Sequence, residues 1–206
     1  MRVLPNHRLR EALRNRMLVN FTRPFEAGSV SGYVLDMGPR FFLVAAVEDA
    51  IRFNGFQCFR LCDVRELHVP HQYAGFAEAA LKKRRERMPK KPRVIVARIE
   101  ALLASANKAF PLVTIHEERV DPTVCWIGRV LKVDRGRVSL LEISPDATWD
   151  ERPNEHELRE ITRVDFGGDY ENALCLVGGP APGQQTEFRE ARQRRKPICR
   201  HRRDRV

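Results

Sequence analysis

Between residues 31 and 61 the apolar positions fall in short runs separated by turn formers, the pattern of neighbouring β-strands. SGYVLDMG (31–38) and FFLVAAVED (41–49) flank a Gly38-Pro39 break and are expected to pair antiparallel. The next run, AIRFNGFQCFRL (50–61), is centred on Asn54-Gly55. That dipeptide between hydrophobics predicts a type I′ hairpin, whose turn residues both need positive φ. Past Leu61 the period changes. Leu61, Val64 and Leu67 are three apart, the spacing of one turn of 3₁₀ helix before a last short strand. Helical spacing governs the connections. Residues 72–87 predict a helix with Tyr73, Phe76, Ala80 and Leu81 toward the protein, stopped by Pro89 and Pro92. Residues 95–108 place Ile95, Ile99, Leu102, Leu103 and Ala106 on one stripe, ended by Pro111. Residues 6–17 are expected to form a third, short helix.

The strand pattern occurs twice. Leu18-Val19-Asn20-Phe21 matches Leu112-Val113-Thr114-Ile115, and Gly32-Tyr33-Val34-Leu35 matches Gly128-Arg129-Val130-Leu131. Phe42 and Val44 match Val138 and Leu140, and Leu61, Val64 and Leu67 match Leu158, Ile161 and Val164. Tyr73 and Tyr170 each open a short apolar stretch. The order of matches is conserved along the chain, so the sequence holds two copies of one unit. The second copy predicts strands in WIGRVLKVD (126–134) and RGRVSLLEI (135–143) around a tight turn at Asp134-Arg135-Gly136. The expected division is a basic N-terminal segment (1–17), a first unit (18–81), a basic linker with an amphipathic helix (82–111), a second unit (112–178) and a tail (179–206).

A G-x-V-L strand, a second apolar strand, a polar hairpin and a closing F/L-x-x-x-D/E-I/V-x-x-V phrase resemble the small SH3-like and Sm-like barrels. The resemblance implies a mainly β chain with helical connections: two tandem five-stranded small barrels whose closure removes exposed strand edges. It implies binding of RNA, peptides, small ligands or other subunits, without selecting among them.

Charge refines the picture. The chain carries a net +10, yet residues 1–16 hold +4, residues 82–93 hold +7 and residues 184–206 hold +6. The remainder is therefore acidic, and the basic residues lie on flanks, linker and tail. The tail follows a breaker-rich GGPAPGQQ (178–185) and has little to bury, so it is expected to be disordered. No apolar run approaches the length of a membrane span and no signal-type apolar stretch opens the chain, which predicts a soluble cytoplasmic protein without a membrane partner.

Chemical motifs are sparse. Cys58, Cys62, Cys125, Cys175 and Cys199 form no C-x-x-C and read as free, mostly buried thiols. His68 and His71 lack a third ligand and read as a surface turn. Cys125 beside Trp126 reads as a packed thiol rather than a nucleophile. His116, Glu117 and Glu118 read as solvated polar residues. No glycine loop has the frame of a phosphate cradle. No catalytic residue, metal or cofactor is expected, and the chain is read as a non-enzymatic binding protein. The first expectation is RNA or another polyanion held by Lys82, Lys83, Arg84, Arg85, Arg87, Lys90, Lys91 and Arg93 of the linker, together with the tail. Arg52, Phe53 and Phe56 on the predicted hairpin would stack bases or contact a partner. The alternative is a protein-interaction or assembly module using the barrel surfaces. A third reading puts a ligand or substrate pocket where the barrels meet, near Trp126 and Trp149.

Overall fold

The structure is a computed structural model and describes residues 5–182. The elements run α1 (Pro5–Asn15), β1 (Leu18–Thr22), β2 (Ser29–Met37), β3 (Phe41–Val47), β4 (Phe53–Arg60), a 3₁₀ turn (Leu61–Asp63), β5 (Leu67–His68) and α2 (Ala74–Lys83). The second half repeats them: α3 (Ile99–Ala109), β6 (Val113–His116), β7 (Cys125–Asp134), β8 (Arg137–Glu142), β9 (Asn154–Glu157), β10 (Arg163–Phe166) and α4 (Asp169–Gly178). The repeat is therefore longer than the strand pattern indicates. It includes the helix before each first strand.

The ten strands of the described residues form one antiparallel sheet in the order β5-β1-β2-β3-β4-β10-β6-β7-β8-β9. This corrects the expectation of two closed five-stranded barrels. The sheet is not closed, and β5 and β9 are its two ends. Each half keeps the order fifth, first, second, third, fourth, and the halves join where β4 meets β10. Arg163, Val164, Asp165 and Phe166 lie opposite Phe59, Cys58, Gln57 and Phe56. The physical reason is the chemistry of β4. Its Cys58 and Phe59 are fully buried, so its edge is completed by a strand of the other half, whose Val164 and Phe166 are also fully buried, rather than left to solvent.

Alternation along β3 separates two cores. Phe42 and Val44 join Leu9, Ala12, Val19, Phe21 and Phe59 beneath α1. Phe41 and Leu43 face the other way, into the core shared by both halves, with Leu102, Leu103, Val164 and Phe166. β3 is thus buried along its whole length. Burial of each such side chain stabilises the fold by about 1.5–3 kcal/mol. Phe21, Phe42 and Phe59 meet edge-on or tilted at centroid separations of 5.2–5.8 Å.

The turn at Arg135-Gly136 forms as expected, with φ values of 48° and 81°. The 3₁₀ turn after Arg60 also forms. The hairpin at Asn54-Gly55 does not. β4 runs straight through both residues, and the chain reverses earlier, where Glu48 N–H donates to the Arg52 carbonyl. Asn54 and Gly55 instead sit at a bulge, where the register against β3 shifts between Ala45 and Val47. Gly55 has φ 65°, and a Cβ there would lie 2.5 Å from the Gly168 nitrogen, so the positive φ serves contact between the halves rather than a turn.

α2 is shorter than the helix predicted over 72–87, and its inward face differs: Ala77 and Leu81 are buried, while Tyr73 and Phe76 are 63% and 69% exposed. α3 begins at Ile99, leaving Ile95 outside and exposed. No helix among the described residues is long and apolar enough to cross a membrane. Of the tail expected to be disordered, 179–206, residues 183–206 lie outside the described part of the chain.

Candidate nucleic-acid interface

A cleft of about 1130 Å³ opens where the two halves meet. Arg40 enters it from the β2–β3 turn, Arg60 from the end of β4, Arg98 from the linker and Arg159 from the turn after β9. Two carboxylates, Glu100 and Glu157, stand with the four arginines. Arg60 Nη2 donates to the Arg159 carbonyl at 2.5 Å, tying the first half to the second across the cleft wall. Burial, followed by the positive charge of Arg119, lowers the Arg60 pKa.

The linker reaches this cleft along a fixed path. Lys91 pairs with Asp36 at 2.6 Å. A Cβ on Gly38 would lie 2.1 Å from the Val96 carbonyl, so the linker backbone lies directly on the β2–β3 turn. Val94 and Val96 are buried in the shared core, and Arg98 follows at the cleft. The eight linker cations, Lys82, Lys83, Arg84, Arg85, Arg87, Lys90, Lys91 and Arg93, are all exposed. Arg84 also donates to the Ala50 carbonyl. The predicted stacking residues fare differently. Arg52 is exposed, but Phe53 packs at 6.0 Å from Tyr33. Phe56 packs between Phe110 and Phe166, at 5.7 and 5.9 Å. Phe56 is therefore half-buried against the shared core, with part of its surface left exposed.

A second polar assembly spans the joint. Arg23, with a fully buried side chain, donates two hydrogen bonds to Glu118, at 2.6 and 2.9 Å. Thr162 Oγ1 donates to the same carboxylate at 2.6 Å. Arg163 holds Asp165 through two bonds, at 2.5 and 2.8 Å, and reaches Glu26 at 3.1 Å. The guanidinium of Arg23 lies 4.7 Å from the Phe59 ring centre. Burial alone would raise the Glu118 pKa, but Arg23 and Thr162 hold it below its ordinary value. For Asp165, burial is outweighed by Arg163 and His116, and the carboxyl lies far below its usual range. Glu118 is therefore not the solvated residue the sequence suggests. Its partner is 95 positions away.

The remaining expected sites are dispersed. His116 faces Asp165 at 3.3 Å, and Cys125 lies opposite it on β7. Burial pushes the Cys125 thiol pKa up, away from a reactive thiolate. His71 Nδ1 accepts the Tyr73 N–H at 3.1 Å, in a surface turn. Trp126 packs on His156 at 5.0 Å, and Trp149 donates to the Gly178 carbonyl. Both tryptophans belong to the second half, so the pocket expected beside them lies instead among arginines. No group of three or more His, Cys, Asp or Glu side chains among the described residues is placed to hold a metal. Sequence reasoning missed Arg40, Arg60, Arg98 and Arg159 because they are isolated in the chain and only the joint gathers them.

Compared with protein-family models, curated proteins and solved structures, the chain matches none.

Proposed function

We propose that this is a non-enzymatic RNA-binding protein, with each half a small barrel-like unit of the Sm-like or SH3-like kind opened at the joint. The observation that carries this reading is the junction cleft, where four arginines face two carboxylates at the end of a basic linker. Phosphates would neutralise the arginines, and displaced counterions would make the affinity salt-dependent. The linker cations continue the positive track outward from Arg98, so a single strand would lie along the linker and enter the cleft. Arginine suits this role because its planar fork donates to two phosphate oxygens at once.

The test is fluorescence anisotropy of a labelled single-stranded RNA titrated with the full chain at several salt concentrations. Arg40→Ala with Arg98→Ala is expected to weaken binding of unrelated sequences alike and to lower the slope of log K against log salt by about 1.4, roughly 0.7 per phosphate contact on a single strand. Absence of binding at low salt, or a slope unchanged by the double substitution, overturns the reading. The competing reading is an assembly module. It rests on exposed Tyr73, just before α2, Phe76 of α2, and Leu176 and Val177 of α4. A partner retained after nuclease treatment and in high salt would favour it.

A further inference from the structure

The two ends of the sheet are the two kinds of strand that meet in its middle. β10, the fifth strand of the second half, pairs with β4, the fourth strand of the first. At the ends, β5 is a fifth strand and β9 a fourth strand with no further strand beside them among the described residues. A joint of this kind is head-to-tail, so a second copy could in principle repeat it. What stands at the free edge decides whether it does.

The residue pairs can be read across. At the offset that matches Val164 to Leu67, Phe166 matches Val69. Val164 and Phe166 lie opposite Cys58 and Phe56 of β4. On β5, Glu66 faces inward, since its carbonyl accepts the Thr22 N–H at 3.0 Å. By ladder alternation the Leu67 and Val69 carbonyls point outward, where a further strand would pair. Both are taken by one side chain: Arg8 donates from Nη1 to the Leu67 carbonyl at 2.6 Å and from Nη2 to the Val69 carbonyl at 3.2 Å.

The helices locate the same substitution. At the offset that matches Leu18 to Leu112, Leu9 falls on Leu103 and Ala12 on Ala106, and all four are completely buried. Arg8 falls on Leu102, also completely buried, in the core beside the joint. Where the joined edge has leucine, the free edge has arginine.

The β9 end is altered too. Glu155 stands where β4 has Cys58, and Pro153 where β4 has Phe56. Glu155 is exposed, and proline has no N–H for a ladder.

We propose that Arg8 is an edge guard that limits the sheet to one chain, and that the surface it covers fits the β9 edge of a second copy, with Leu67 opposite Glu155. A strand docking there must displace a guanidinium from two carbonyls and leave it without acceptors, while Glu155 loses its water. Replacing both guards by apolar residues like those at the joint removes both costs.

The test is molar mass by light scattering over a concentration series of the full chain, with circular dichroism as the check of folding. Wild type and Glu155→Val alone are expected to remain single chains. Arg8→Leu is expected to show a mass that rises with concentration, and Arg8→Leu with Glu155→Val to reach at least twice the single-chain mass at lower concentration. Arg8→Lys covers one carbonyl instead of two. Combined with Glu155→Val, it is expected to associate to an intermediate extent, and it serves if the leucine variant does not fold. Single-chain behaviour of the folded double variants overturns the proposal. So does self-association of wild type, or of Glu155→Val as strong as that of the double variant.

Discussion

The joint between the halves and the free ends of the sheet are built from the same two strand types, yet they carry opposite chemistry. At the joint, β4 and β10 present Cys58, Val164 and Phe166 to a shared core covered by α3. At the ends, β5 keeps apolar Leu67 and Val69, but Glu155 and Pro153 stand where β4 has Cys58 and Phe56, and Arg8 stands where α3 has Leu102. The comparison teaches that a repeated unit does not fix its own assembly. Backbone pairing is available at every edge, and the side chains around an edge decide whether it is used.

The largest effect should come from breaking the polar side of the joint. Glu118→Ala leaves Arg23 buried without its main carboxylate partner, and chemical denaturation should show a loss of about 3–5 kcal/mol. A loss under 1 kcal/mol would mean that the joint is held by its apolar core alone.

Acid should weaken the same joint more gradually. Glu118 and Asp165 have folded pKa values below their unfolded ones. The stability they contribute is complete above the unfolded carboxylate range and is lost progressively as pH falls below about 4 and through the lower folded values. Glu117, next in the chain to Glu118, is shifted the other way by burial, with His156 opposing. It therefore reduces the acid sensitivity slightly rather than adding to it. Denaturation midpoints measured down the pH scale should fall in wild type and fall less in Glu118→Gln. Parallel curves would exclude the network as the source.

The smallest effect separates backbone contact from ion pairing. The side-chain Oδ1 of Asn54 accepts the Asp169 N–H at 2.7 Å, so a side chain at the bulge of the first half caps α4 of the second. Asn54→Ala should cost about 1 kcal/mol, as loss of a helix cap does, and hydrogen exchange should speed up at the start of α4 rather than throughout the sheet.

Much of this architecture was legible in the chain. The matched phrases showed the duplication because apolar spacing reports which side chains face a core, and both copies use the same faces. The turn at Arg135-Gly136 was legible because its conformation depends on its own two residues. Asn54-Gly55 carries an equally strong local signal and was misread. Its positive φ is real, but it serves a close approach to Gly168 in the other half. α2 was misread for a related reason. Its stripe could have faced either way, and only the packed surface around Leu18, Tyr33 and Val47 selects Ala77 and Leu81.

The candidate site was less legible than the fold. The linker cations stand together in sequence and were found, but the cleft arginines are separated by up to 119 positions and were not. The same holds for Arg23 and Glu118. Taken by itself, the sequence determined the strands, the duplication and the placement of most basic charge, because those depend on periodicity and composition within short windows. Tertiary structure alone decided that two units fuse into one open sheet, that their joint gathers four arginines and buries an ion network, and that Arg8 faces an edge while its counterpart Leu102 lies in a core. Those outcomes depend on which distant groups share a dielectric and a set of hydrogen-bond partners, and no local pattern encodes that.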